Sequence, residues 1–162
     1  DIADRIGITK ATLHHHFPTK EALGAALAER CYSETQNALD QILRTHTTPW
    51  EQLDGYFRFA TDIMKSGLKI CAKGALEVEF NVISDGMRTR TARIYDYVIG
   101  WLAGVLSDGR TQGVMHFPGK PEDQAALIHA AVQGGLQNAR AEGTKIFPVI
   151  VRQLKQQLKS PR

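Results

Sequence analysis

Residues 2–23, IADRIGITKATLHHHFPTKEAL, decide the fold. Ile2, Ala3 and Ile6 share one face of a helix that ends at Gly7, since glycine enters the left-handed region at no steric cost. Thr9 is placed as the N-cap of a short helix through about His15. Phe17-Pro18 breaks that helix, because the residue before a proline avoids the α region. Thr19 caps a third helix, with Glu21 and Ala22 in its first turn. A helix, a glycine turn and a second short helix within the first sixteen residues is a helix-turn-helix spacing.

The same period continues outward. The third helix is expected over about 19–44, with Leu23, Leu27, Cys31, Leu39, Ile42 and Leu43 on its apolar stripe. Thr48-Pro49 opens a fourth, with the proline at the first helical position, where a missing N–H costs nothing. That helix runs to about Lys65 with Leu53, Phe57, Ala60 and Met64 on one side, and Ser66-Gly67 ends it. Further helices are expected over about 69–83, 87–107, 121–141 and 145–159, with breaks at 84–86 and 108–120. Alternating β-branched segments, internal repeats and low-complexity stretches are all missing from the sequence. The fold class is therefore all-α: a helix-turn-helix headpiece at 1–31 and a helical body at 32–162.

Composition is ordinary for a globular protein, at 43% hydrophobic and 23% charged residues with a formal net charge of +3. No apolar run reaches the roughly 20 residues of a membrane span. DIADRI is charged and amphipathic rather than a secretory signal, and two cysteines form no disulfide framework, so a cytoplasmic location is expected. The charge is uneven. Residues 1–30 balance four Lys/Arg against four Asp/Glu, whereas 144–162 hold five Lys/Arg and no acid.

Ile2-Ala3, Gly7-Ile8-Thr9, Thr12-Leu13, His16-Phe17 and Lys20-Glu21-Ala22-Leu23 match, in order and spacing, a known DNA-binding signature. The segment resembles the TetR family of transcriptional regulators. The sequence departs at His14, where the family usually has a tyrosine that contacts phosphate. Family members carry one more helix before residue 1, so the resemblance implies a headpiece lacking its first helix here. It also implies a homodimer on a near-palindromic double-stranded operator and a small-molecule or electrophile effector, with no cofactor.

A recognition helix presents its N-terminal residues to base edges in the major groove. Thr9, Lys10 and Thr12 are polar groups on that stretch, and Ala11 suits a thymine methyl. His14 and His15 are expected to face DNA, while His16 and Phe17 pack inward. Lys20, in the first turn of the next helix, is placed to meet a phosphate. Three adjacent histidines point about 100° apart on a helix, so they cannot converge on a metal ion. Neither a nucleophile elbow nor a glycine-rich phosphate loop occurs, which argues against an enzyme.

In the body, 67–110 with Cys71, Glu77, Trp101 and Gly109 resembles the electrophile-responsive branch of the family, in which a cysteine near this position is the sensor. Cys71 lies near a helix N-terminus, which favours thiolate. A small buried hydrophobe is the competing reading. Cys31 reads as core. Phe57, Phe59, Phe80, Tyr95 and Trp101 are candidates to line an effector pocket, with Phe59, Tyr95 and Trp101 preferred. On the last two helices, Ile128, Val132, Gly135, Leu136, Phe147, Ile150 and Leu154 are the candidate dimer face. The competing reading there is packing within one chain. The rival function is an all-helical small-molecule-binding or thiol-reactive protein that does not read DNA.

Overall fold

A computed structural model describes residues 2–65, 72–79 and 81–159, and all the regular structure in them is helical. The elements are α1 (Ile2–Ile6), α2 (Lys10–His16), α3 (Lys20–Thr45), α4 (Pro49–Lys65), α5 (Ala72–Val78), α6 (Asp85–Thr111), α7 (Pro121–Glu142) and α8 (Ile146–Gln157). None of the described helices is long and apolar enough to cross a membrane.

Local chemistry sets the boundaries. At the end of α1 the amide of Ile8 donates to the carbonyl of Ala3 at 3.1 Å and that of Gly7 to Asp4 at 3.3 Å. This paired closure needs a left-handed residue between them, and Gly7 supplies it at φ +74°. Thr9 and Thr19 cap α2 and α3, each side-chain oxygen accepting from the amide three residues on at 3.0 Å. Thr48 and Glu51 form a reciprocal box at the start of α4: the carboxylate accepts from the Thr48 amide at 3.1 Å and from its hydroxyl at 2.9 Å. Those bonds hold the Glu51 carboxyl below its ordinary range.

The body is built around α6. Ile94, Val98, Trp101, Leu102, Val105 and Leu106 recur at helical spacing, and all are buried. α3 packs parallel to α6, with Met87 lying against Gly24 at one end and Trp101 Nε1 donating to the Leu39 carbonyl at 3.1 Å further along. α4 and α7 pack on other flanks of α6, and α8 closes back on α7. Leu39, Leu53, Leu102, Leu106, Met115, Ile128, Val132, Phe147 and Leu158 are among the largest side chains fully enclosed between these helices.

Both ends of α6 differ from expectation. α6 starts at Asp85, two residues early, because the Ser84 carbonyl already accepts from Met87 and Arg88 at 3.0 and 2.9 Å. It runs on to Thr111 because the amides of Val114 and Met115 fold back on the Gly109 carbonyl, which draws Met115 into the core. α3 is continuous across residue 31, as its apolar stripe predicts.

Candidate nucleic-acid interface and effector cavity

α1 and α2 bury little of their own surface. Ala3 is enclosed, but Ile2 and Ile6 stand 56% and 59% exposed, and Leu13 and Phe17 are only half-buried. Every side chain assigned to DNA is presented outward: Thr9, Lys10, Ala11, Thr12, His14 and His15 on or beside α2, and Lys20 on α3. Thr9 and Thr12 also bond each other through their hydroxyls at 2.9 Å, which fixes both at the head of α2. No acid occupies the first turn of α2. His16 corrects the sequence reading: it is exposed, its ring edge-on to His15 at 5.4 Å, because the closing turn at Phe17 leaves it on the outer face.

Above this outward face a cavity of about 810 Å³ separates headpiece from body. Leu23, Leu27 and Cys31 of α3 form one wall, Phe59 and Ile63 of α4 another, and Leu76 and Met87 close it from α5 and α6. The lining is mainly apolar, with Lys20, Glu21, Arg30 and Glu34 among its polar members. Such a volume suits a small organic molecule.

Of the predicted effector residues, Phe59 lines this cavity and two do not. Trp101 is 8% exposed and belongs to the core, where its indole N–H is held by Leu39. Tyr95 is 39% exposed on the far side of α6, edge-on to His129 at 5.8 Å. Phe57 is core as well. Cys71 and Phe80 lie outside the described residues. Cys31, read as core, is instead half-buried in the cavity wall. Sequence reasoning missed Leu23 and Leu27 as lining residues. Their signal was present: the α3 stripe extends headward of Leu39 and Ile42, past the point where the core covers it, leaving Leu27 55% exposed.

A polar clasp joins α3 to α6 beyond the cavity. Arg93 donates to Glu29 at 3.3 Å and sits 4.2 Å over the Tyr32 ring, which meets Tyr97 edge-on at 5.8 Å. Tyr97 donates a short hydrogen bond to Asp40. Burial, then that bond, pushes the Tyr97 phenol up to about 12, so it remains a donor at neutral pH.

The proposed dimer residues face the chain's own interior. Ile128, Val132, Leu136, Phe147 and Leu154 are buried, and Ile150 packs against the same core. Gly135 is explained inside one chain: a β-carbon there would lie 3.0 Å from both Ile150 and Phe147, so it admits α8 against α7. The surfaces of these helices left outward include Leu127 and Gly134 on α7 and Val149 on α8.

Residues 1–27 match the family model described as bacterial regulatory proteins, tetR family. Over these residues the chain is similar to the TetR family. It is 27% identical over 143 residues to the HTH-type transcriptional repressor NemR of Escherichia coli K12, spanning 86% of this chain and 71% of NemR. It is 24% identical to the HTH-type transcriptional repressor DhaR of Mycobacterium sp. strain GP1, over 88% of this chain and 71% of that protein. A TetR-family regulator from Agrobacterium tumefaciens superposes with a TM-score of 0.93 at 26% identity, over 99% of this chain and 85% of that one. These likenesses are to HTH-type transcriptional repressors and to a TetR-family regulator.

Proposed function

We propose that this chain is a homodimeric repressor of the TetR family, released from a near-palindromic operator by a small molecule in the cavity or by modification of a cysteine. The observation that carries this is the shared use of α3: one helix bears Lys20 next to the recognition helix and walls the cavity with Leu23, Leu27 and Cys31. Any occupant that moves this wall moves the headpiece. Thr9, Lys10, Ala11 and Thr12 read base edges, and His14, His15 and Lys20 meet the backbone. NemR and DhaR are both repressors by name, which supports repression as the output.

The dimer forms through the outward faces of α7 and α8 around Leu127, Gly134 and Val149, rather than through the buried stripe. Its two α2 helices then enter successive major grooves about 34–36 Å apart.

The test is a salt-titrated binding assay on DNA upstream of the chain's own gene, before and after a thiol-reactive electrophile. Loss of binding on treatment, retained in Cys71→Ser, identifies Cys71 as the sensor. Retention instead in Cys31→Ser moves sensing to the cavity wall. Binding indifferent to treatment in every variant eliminates the thiol route and leaves reversible ligand binding. A dimer that never binds DNA at low salt refutes the reading.

A further inference from the structure

We infer that a second binding site, for a small amphiphilic anion, lies in the groove between α4 and α8, separate from the cavity at the headpiece. The groove encloses about 630 Å³, within the usual range for small-molecule sites. Its floor is apolar, formed by the buried rings of Phe57 and Phe147 with Val151 beside them.

Its rim is cationic. Arg58, Arg152, Lys155 and Lys159 stand around that floor against the single carboxylate of Asp54. Asp54 is committed to Lys155, whose Nζ lies 2.7 Å away. Arg58 donates to His46 Nε2 at 2.9 Å, outside the groove. Arg152 and Lys159 have no acidic side chain in ion-pair range among the described residues. An ordinary solvated face alternates charge signs or carries its cations over polar neighbours. Here unneutralised cations ring aromatic surface, a combination that selects a carboxylate, sulfonate or phosphate attached to an apolar body.

Position excludes operator DNA as the anion. α6 rises about 40 Å over its 27 residues. Its start packs beside Gly24 near the headpiece, and the loop beyond its far end holds Trp50 through the Val114 carbonyl at 3.0 Å. Lys155 lies 5.9 Å over that same Trp50 ring, so the Lys155–Asp54 end of the groove lies at the end of the body remote from α2, and the headpiece cavity intervenes between α2 and its other end at Thr61. The enclosed volume, and a rim only as wide as two helices, fit a small molecule rather than an acidic protein segment.

The test uses 8-anilino-1-naphthalenesulfonate as the anionic probe and N-phenyl-1-naphthylamine as its uncharged counterpart, titrated into the full chain by fluorescence. The double variant Arg152→Glu/Lys159→Glu changes exposed residues only, and Val151→Trp fills the floor. The expected result is at least tenfold weaker sulfonate binding in the charge-reversal variant, with the uncharged probe unaffected by it, and loss of sulfonate binding in Val151→Trp. Sulfonate affinity unchanged by charge reversal overturns the proposal. So does binding abolished by Leu27→Trp, which fills the other cavity, but not by Val151→Trp. Capture of poly-glutamate without the sulfonate also overturns it, making the groove a protein-docking face instead.

Discussion

Replacing Tyr97 by phenylalanine isolates the clasp between α3 and α6. The substitution keeps the ring, its burial and its edge contact with Tyr32, and deletes only the hydroxyl that donates to Asp40. A hydrogen bond to an ionised group is worth about 1.5–3 kcal/mol. Tyr97 is only half-buried, so water partly replaces the donor, and the expected loss is about 1–2 kcal/mol. For a chain of this size that lowers Tm by about 3–6 °C. The pH dependence follows from the phenol being raised to about 12 in the fold against roughly 10 when unfolded. The folded state holds the proton more tightly, so this contribution is complete below about pH 10 and lost as pH climbs toward 12. The difference between wild type and Tyr97→Phe is therefore flat from pH 6 to 9. Urea unfolding followed by circular dichroism at pH 6, 7.5 and 9, at one fixed protein concentration, measures it. Absorbance titration at 295 nm provides a second readout: of four tyrosines, the component near 12 disappears in the variant. A variant within about 0.3 kcal/mol of wild type, or one whose high-pH component persists, refutes the assignment.

Further outcomes follow from the same geometry. Thr9→Ala removes the cap of α2 and is expected to cost about 1 kcal/mol locally, weakening operator binding with little change in global unfolding. Lys20→Gln is expected to weaken DNA binding evenly across sequences and to make the salt slope shallower by about one, the value of a single neutralised phosphate, measured by titration in increasing chloride. Phe147→Ala empties the junction of α7, α8 and α4 and is expected to destabilise by about 3–5 kcal/mol, read by denaturant unfolding; a loss below about 1 kcal/mol contradicts the burial of that ring.

The headpiece is the most legible part of the sequence because its signals are local. Gly7, Thr9, Phe17-Pro18 and Thr19 each act through a backbone bond within a few residues, and each element edge falls beside them. The effector and dimer surfaces depend on which helix covers which face, information that periodicity does not hold. Ile128, Val132 and Phe147 have the stripe expected of any buried helix face, whether the cover is a second copy or α6 of the same chain. Gly135 does mark a close approach of helices, but the partner is α8 of its own chain. Trp101 resembles a pocket wall because its polar edge is unusual in a core; the Leu39 carbonyl that satisfies it is 62 residues away. Cys31 lies on the helical stripe of Leu39 and Ile42, yet the stripe passes from core to cavity along its length, and only the position of α5 and the start of α6 reveals where.

That passage along α3 also bears on how the proposed switch would transmit motion. The helix is fixed near its C-terminal end, where Trp101 holds the Leu39 carbonyl and Tyr97 holds Asp40, while the half-exposed Glu29–Arg93 pair can follow a small tilt. From Asp40, Leu27 is about 20 Å headward and Lys20 about 30 Å, at 1.5 Å per residue. A tilt about the clasp that shifts Leu27 by about 1 Å therefore shifts Lys20 by about 1.5 Å. In the proposed dimer two such shifts change the separation of the recognition helices by up to about 3 Å against a required 34–36 Å. Coupling of about 1–3 kcal/mol, or 5–150-fold in affinity, is the usual scale of such linkage. Leu27→Trp imitates an occupant: its side chain is 55% exposed toward the cavity, so a larger ring enters without displacing core. The variant is expected to unfold at the wild-type denaturant midpoint yet bind operator at least fivefold more weakly. Adding Tyr97→Phe loosens the pivot, and the two effects on DNA affinity should then fall short of additive. Wild-type affinity in Leu27→Trp, with the cavity shown to be filled, would mean that the wall yields without turning the helix, and the lever would have to be sought in another element.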